Sequence, residues 1–359
     1  MGGRSSPLLD DHRSRGAKLI DFAGWEMPLQ YEGTVSEHHA VRTSVGVFDV
    51  SHLGKLRVTG RRAAEALQVA LTADVEAIPP GRATYSLVLT DEGGCIDDVF
   101  VYRITESEWM VVPNAANVEA VAQALTDAGT DPRDEWDRWA ILAIQGPRSF
   151  ELFDRAFPEA EASSLRLYSF TDLDVFGEPG LVARTGYTGE RGFELYAPAA
   201  RAPAAFQALL EVGAAPVGLG ARDTLRLEMG YALYGHELTR DINPLEAGLG
   251  WTLAWDTPFR GKEALAEVKR TGPARRLIGV RCKERGVPRQ GHSVLAGDRR
   301  VGEVTSGNFS PTLGTGIALV LGPSQSLPRA GEDVTIEARA RRIEGIIVKP
   351  PFIDRGRSK

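Results

Sequence analysis

Short alternating strands closed by glycine-rich turns limit this chain's fold more than any other feature. Segments 85–90 and 95–102 alternate in strand fashion and are joined by Asp91-Glu92-Gly93-Gly94, a hairpin signature. Segments 181–184 and 193–196 flank a second glycine-rich turn, and 301–305, 316–321 and 334–338 predict strands of a C-terminal β-rich module. Helical periodicity is convincing at 60–71, 117–128, 202–212 and 221–233. Helices mixed with antiparallel hairpins, without a βαβ rhythm, predict an α+β fold. No repeat of fixed period points to a solenoid or propeller.

At 359 residues the chain exceeds one ordinary core. Thr271-Gly272-Pro273 predicts a linker into the C-terminal module, and the polar stretch 129–137 closes a small α/β unit begun near Ser51. Hydrophobic residues make up 43% and charged residues 25%, the balance of a soluble globular protein. No apolar run approaches the roughly 20 residues that span a bilayer, so no membrane segment is expected. A net charge of −6 gives no reason to expect nucleic acid. The short basic run Arg339, Arg341 and Arg342 predicts a solvated strand face. Cys95 and Cys282 can build neither a disulfide framework nor a metal site alone, which fits a reducing cytosol. Met1-Gly2 with Ser6 matches a myristoylation pattern of little specificity. No apolar signal stretch follows, and Asp10 and Asp11 interrupt the early arginines, so a cytoplasmic location is expected.

Three segments can carry chemistry. Asp97-Asp98 places two aspartates in an otherwise apolar strand, where aspartate is disfavoured. Alternation puts Asp98 on a face with Ile96, Phe100 and Tyr102, and Asp97 opposite, with Cys95, Val99 and Val101. Either one aspartate caps the hairpin and the other meets solvent, or a carboxylate on an aromatic face serves as a positioned base or acceptor. In Arg184-Thr-Gly-Tyr-Thr-Gly-Glu-Arg-Gly-Phe-Glu-Leu-Tyr196, three glycines permit tight turns and close approach to a ligand. Glu194 and Tyr196 then share one face and Phe193 and Leu195 the other, so Glu194 is either solvated or ligand-facing. In Gly218-Leu-Gly-Ala-Arg-Asp-Thr-Leu-Arg-Leu-Glu228, the missing third glycine weakens any dinucleotide reading, and a helix opening at Ala221 is simpler. Arg222 falls in its first turn, where a cation gains nothing from the helix dipole, which suggests another task. His52, His38 and His39 lack a third ligand at metal spacing and predict structural roles, as does Trp25; no metal is expected. Cys95 has no neighbour to lower its pKa and predicts no nucleophile.

Taken together and in order, these motifs resemble the aminomethyltransferase family of the glycine cleavage system. The resemblance runs through Gly16-Ala-Lys-Leu-Ile-Asp-Phe-Ala-Gly-Trp-Glu-Met-Pro28, Val45-Gly-Val-Phe-Asp-Val-Ser-His-Leu-Gly54 and Gly93-Gly-Cys-Ile-Asp-Asp98. It continues through Gln145-Gly-Pro147, Arg184-Thr-Gly-Tyr-Thr-Gly-Glu190, Gly218-Leu-Gly-Ala-Arg-Asp223 and Gly302-Glu-Val-Thr-Ser-Gly-Asn-Phe-Ser-Pro311. It begins by Leu8, so no targeting extension is expected. The resemblance implies three domains in a cloverleaf-like arrangement around a central tetrahydrofolate cavity. These would be a discontinuous unit of 1–50 plus 140–270, an inserted α/β unit of 51–139, and a jelly-roll or barrel-like unit of 271–359. It further implies transfer of an aminomethyl carbon from the lipoyl arm of H-protein to tetrahydrofolate, giving 5,10-methylenetetrahydrofolate, ammonia and dihydrolipoyl H-protein.

The resemblance also implies residue roles. The family's pterin-binding glutamate falls on Glu194, whose carboxylate can accept the pterin N–H and NH₂ together. Its nearby arginine falls on Arg222, expected at the pterin edge or in its supporting network. Tyr85, Tyr102, Tyr187 and Asn114 would line the cavity. Asp98 matches the aspartate beside the reacting folate nitrogens, where it would raise their nucleophilicity and stabilise positive charge as ammonia leaves. Leu53 replaces a common methionine with little change in volume. Pro113 replaces valine or serine ahead of Asn114, an expected shift in that loop. A tyrosine that some relatives place on the folate tail is missing near the chain end, where Arg355 or Arg357 would meet the tail carboxylates instead. Two alternatives share the folate site: a demethylase acting on a small methylated donor, and a non-enzymatic folate-binding protein of iron–sulfur maintenance. Relatives of the latter kind carry a cysteine where this chain has Arg184-Thr-Gly-Tyr187.

Overall fold

A computed structural model describes residues 3–338 and 341–354. Its largest open sheet has the strand order Phe170–Asp174, Pro179–Ala183, Gly192–Pro198, Trp139–Gln145, Gly46–Asp49 and Ala215–Val217. Every pair is antiparallel except the last, which is parallel. Trp139–Gln145 lies at its centre, buried throughout, so its apolar residues run nearly without break instead of alternating. On one face Leu142, Ile144, Phe193 and Leu195 meet the helices Ser149–Ala156 and Ala202–Glu211. On the other, Ile141, Ala143 and Tyr196 meet Ala83 and Tyr102 of a neighbouring sheet, together with Leu225. Each fully buried Leu, Ile or Phe contributes about 1.5–3 kcal/mol. The two sheets are therefore welded by apolar packing.

That neighbour is five-stranded, in the order Arg82–Leu89, Cys95–Arg103, Glu108–Val112, Leu56–Thr59 and Arg133–Asp134. Helices Ala63–Ala70 and Val118–Asp127 cover its outer face. The predicted hairpin is present, but its alternation breaks at a bulge. Tyr85 pairs with Phe100, Leu87 with Asp98, Val88 with Asp97, and then Leu89 with Cys95, skipping Ile96. The extra residue exchanges the sides expected for its two neighbours. Ile96 joins Val88, Val99 and Val101 in the outer core, whereas Cys95 packs with Leu87 and Leu89 on the Asp98 side.

The C-terminal strands close into a six-stranded barrel in the order Arg275–Cys282, Thr315–Pro323, Arg299–Ser310, Ser293–Ala296, Asp333–Ala338 and Arg341–Val348. Arg341 and Arg342 are exposed, as expected of a solvated strand face; Arg339, Arg355 and Arg357 lie outside the described residues. A small sheet, Arg4–Ser5, Trp25–Gln30 and Lys18–Phe22, completes the set. The mixture is α+β.

The helix predicted at 221–233 runs instead over Leu219–Glu228. Gly230, at φ +69°, ends it: Gly230 N–H donates to Leu227 O and Tyr231 N–H to Arg226 O, a Schellman closure. Leu233 therefore leaves the helix for the wall of the cavity described next. Helix Thr34–Thr43 is absent from the sequence expectation because its inward face is polar, burying Glu37, His38 and Arg42 beside Val41. Hydrophobic periodicity cannot find such a face.

Candidate functional site

Between the two large sheets, the small sheet, the Leu219–Glu228 helix and the barrel lies a cavity of about 680 Å³. All seven residues singled out from the sequence stand in its wall: Tyr85, Asp98, Tyr102 and Asn114 from the five-stranded sheet and its following loop, and Tyr187, Glu194 and Arg222 opposite. The barrel adds Asn308, Phe309 and Pro311.

On the first wall, Asp98 is held by two neighbours. Tyr85 donates its O–H to Asp98 Oδ2 at 3.0 Å, and Asn114 Nδ2 donates to Asp98 Oδ1 at 2.9 Å. Burial pushes the Asp98 carboxyl above the usual carboxylate range, while these two bonds pull the other way. Asp97 points out of the cavity, as alternation requires, and is fully buried. It accepts from Asn114 N–H at 2.8 Å, Asn114 Nδ2 at 2.8 Å and Asn117 Nδ2 at 2.7 Å. Burial and the Asp98 charge push it up to about 8, against those three donors. The bland reading, a capping aspartate and a solvated one, is excluded by this geometry.

The second wall is less saturated. Glu194 accepts a hydrogen bond from Thr185 Oγ1 at 2.5 Å. Burial raises its carboxyl, opposed by the Thr185 bond and by Arg222. Arg222 stacks its guanidinium 4.9 Å from the Tyr187 ring centre, and its Nη1 is buried without a hydrogen-bond partner among the described residues. An unmet buried donor costs about 1–3 kcal/mol, so it marks a place where an acceptor belongs. Tyr187 donates to Ala232 O and stacks on Tyr231, with ring centres 5.8 Å apart. A hydroxyl chain joins the walls: Tyr196 donates to Tyr102 at 3.0 Å, Tyr102 lies 3.5 Å from Thr185, and Thr185 reaches Glu194.

The glycines of this segment act differently from expectation. A Cβ on Gly186 would stand 2.1 Å from Gln145 Oε1, and one on Gly192 would stand 2.3 Å from Gln145 Nε2 and Ile144 O. Close approach here is to the Gln145 side chain, which donates to Thr185 O and Phe193 O and accepts from Thr188. Gly186 nevertheless reaches the cavity wall as well.

One wall residue, His52, and one neighbour of the wall, Trp251, were not expected at the site. His52, expected to be structural, is 4% exposed and lines the cavity, with Nδ1 unpartnered. Burial and the nearby Arg222 charge lower its pKa to about 3, so it is a neutral imidazole. Trp251, 69% exposed, stacks on Tyr85 with ring centres 5.8 Å apart. No local motif marks either. By contrast, His38 is structural as expected, bound between Thr224 and Thr312 and 3.3 Å from Glu228. Trp25 is also packed, against Met27, Ala115 and Trp136.

Comparison with known proteins agrees with this geometry over nearly the whole chain. Residues 8–257 match the family model of the GCVT N-terminal domain, and residues 275–354 match that of the glycine cleavage T-protein C-terminal barrel domain. An aminomethyltransferase of Mycolicibacterium paratuberculosis is 47% identical, covering 97% of this chain and 96% of its own. One from Halothermothrix orenii is 42% identical, covering 98% and 100%. The crystal structure of glycine cleavage system aminomethyltransferase T from Bartonella henselae superposes with a TM-score of 0.90 at 32% identity, covering 98% of each chain. The chain therefore belongs to the glycine cleavage T-protein family of aminomethyltransferases.

Proposed function

We propose that this chain transfers the aminomethyl carbon carried on the lipoyl arm of H-protein to tetrahydrofolate in the cytoplasm. The reaction is redox-neutral. Two bonds from that carbon to folate nitrogens replace its bonds to nitrogen and sulfur, and the two folate protons end on ammonia and on the lipoyl thiol. Sheet membership supports the division into 1–50 plus 140–270, 51–139 and 271–359, with the folate cavity between them.

The observation that carries the reading is the pairing, across one cavity, of an under-used carboxylate and an unmet guanidinium with a firmly held second carboxylate. Glu194 has acceptor capacity left for the adjacent N–H and NH₂ of a pterin, and Arg222 Nη1 supplies a donor beside it. Tyr187, Tyr102 and Tyr85 give the aromatic wall, and Asn114 fixes Asp98. Asp98 then accepts a hydrogen bond from a reacting nitrogen, favours its attack, and offsets positive charge as ammonia departs. These residues fit the folate, and no further cofactor is required by this chemistry.

Ammonia release from aminomethylated, lipoylated H-protein, measured with and without tetrahydrofolate, tests the assignment. Release matched by methylenetetrahydrofolate formation is expected. Ammonia formation indifferent to tetrahydrofolate, or activity only on a small methylated donor, would contradict it.

A further inference from the structure

We propose that Asp97, which does not reach the cavity, is a positioning residue for Asp98, acting through Asn114. The inference rests on the reading of Asp98 as the group beside the reacting nitrogens. One amide joins the two carboxylates: Asn114 Nδ2 donates to Asp97 Oδ1 at 2.8 Å and to Asp98 Oδ1 at 2.9 Å. Asp97 also takes the Asn114 backbone N–H at 2.8 Å, so the loop bearing that amide is tied down at two points. Asn117 Nδ2 fills the remaining acceptor site on Asp97 Oδ1 at 2.7 Å.

All three of these contacts are donors, and donors favour an ionised Asp97. Burial and the Asp98 charge outweigh them and push Asp97 up to about 8, so the two carboxyls titrate as a pair and Asp97 is largely protonated at neutral pH. The other titratable groups facing Asp98 are Tyr85, Cys95, Tyr187 and Tyr234. Burial raises all four, which keeps them neutral at physiological pH. Asp97 thus acts by geometry: it aims the Asn114 amide, whose bond holds the Asp98 carboxyl down against its burial.

The test compares Asp97→Asn, Asn114→Ala, the double variant and Asp98→Asn with the intact chain, using aminomethylated H-protein and tetrahydrofolate. Asp97→Asn is expected to lower kcat by about 10-fold, less than the roughly 10²- to 10⁴-fold of a group that itself handles the proton, with folate affinity within about 3-fold. The acid limb of its pH profile should move to higher pH, because Asn114 is no longer held with its donor on Asp98. Asn114→Ala should make the further loss from Asp97→Asn much smaller than it is alone, the mark of two residues acting in series. An unmoved acid limb with only a lower Tm would reduce Asp97 to a structural role and overturn the proposal. Fully multiplicative losses in the double variant would overturn it as well. Undiminished turnover in Asp98→Asn would overturn the parent reading too, so the two failures are distinguishable.

Discussion

Asp98, half-buried, and Glu194, buried, are carboxylates facing one cavity, but their neighbours treat them differently. Asp98 is gripped by Tyr85 and Asn114, side chains from its own sheet and the loop that follows it. Glu194 receives one hydroxyl, from Thr185, and beside it Arg222 leaves a buried N–H unmet. A group whose orientation is fixed before any ligand arrives suits chemistry, because misplacement is costly at the reacting atoms. A group with unused acceptor capacity beside an unmet donor suits recognition, because a ligand completes it. The wall carrying Asp98 is accordingly assigned the reaction, and the wall carrying Glu194 the grip on the pterin.

The largest effect that can break this contrast belongs to Asp98→Asn. Turnover should fall by about 10²- to 10⁴-fold while folate affinity stays within a few-fold, read by single-turnover kinetics and calorimetry. Glu194→Ala should do the reverse. Loss of a charge-assisted two-point acceptor weakens folate binding by about 2–3 kcal/mol in a titration of the folded variant. The smallest effect is the most discriminating about Asp98. Tyr85 donates to Asp98 and favours its ionised form, lowering its pKa. Tyr85→Phe removes that bond, so the Asp98 pKa rises and the acid limb of the rate profile moves up by roughly half to one pH unit. That shift has the same sign as the one expected for Asp97→Asn, since each loses a donor's hold on Asp98, and a downward movement would contradict the arrangement.

The two walls were also unequally legible in the sequence. The hairpin was readable because turn chemistry and alternation both speak locally, and alternation correctly set Asp98 and Asp97 on opposite faces. It failed two residues away, at Ile96, because a bulge depends on the register with Leu89 and no local residue type announces it. On the other wall, the glycines of the Gly186–Gly192 turn suggested ligand approach, yet two of them make room for Gln145 from a strand some forty positions away in the chain. The Leu219–Glu228 helix was found, but its end depended on the closure at Gly230, while the apolar spacing continued to Leu233. His52 reads as structural in the sequence because its neighbours at the cavity, Phe22 and Arg222, come from distant segments. Helix Thr34–Thr43 shows the same limit: Arg42 binds Glu190 and Glu228 across the fold, a buried polar contact that mimics a surface pattern in sequence.

Single-turnover aminomethyl transfer at rising tetrahydrofolate concentration tests the division between the walls most directly. Glu194→Ala should climb to a plateau within a few-fold of the unaltered chain, because excess folate replaces lost affinity. Asp98→Asn should saturate at ordinary folate concentrations with its plateau still about 10²-fold or more below. An Asp98→Asn plateau that recovers with folate, or a Glu194→Ala plateau that stays as low, would contradict the account.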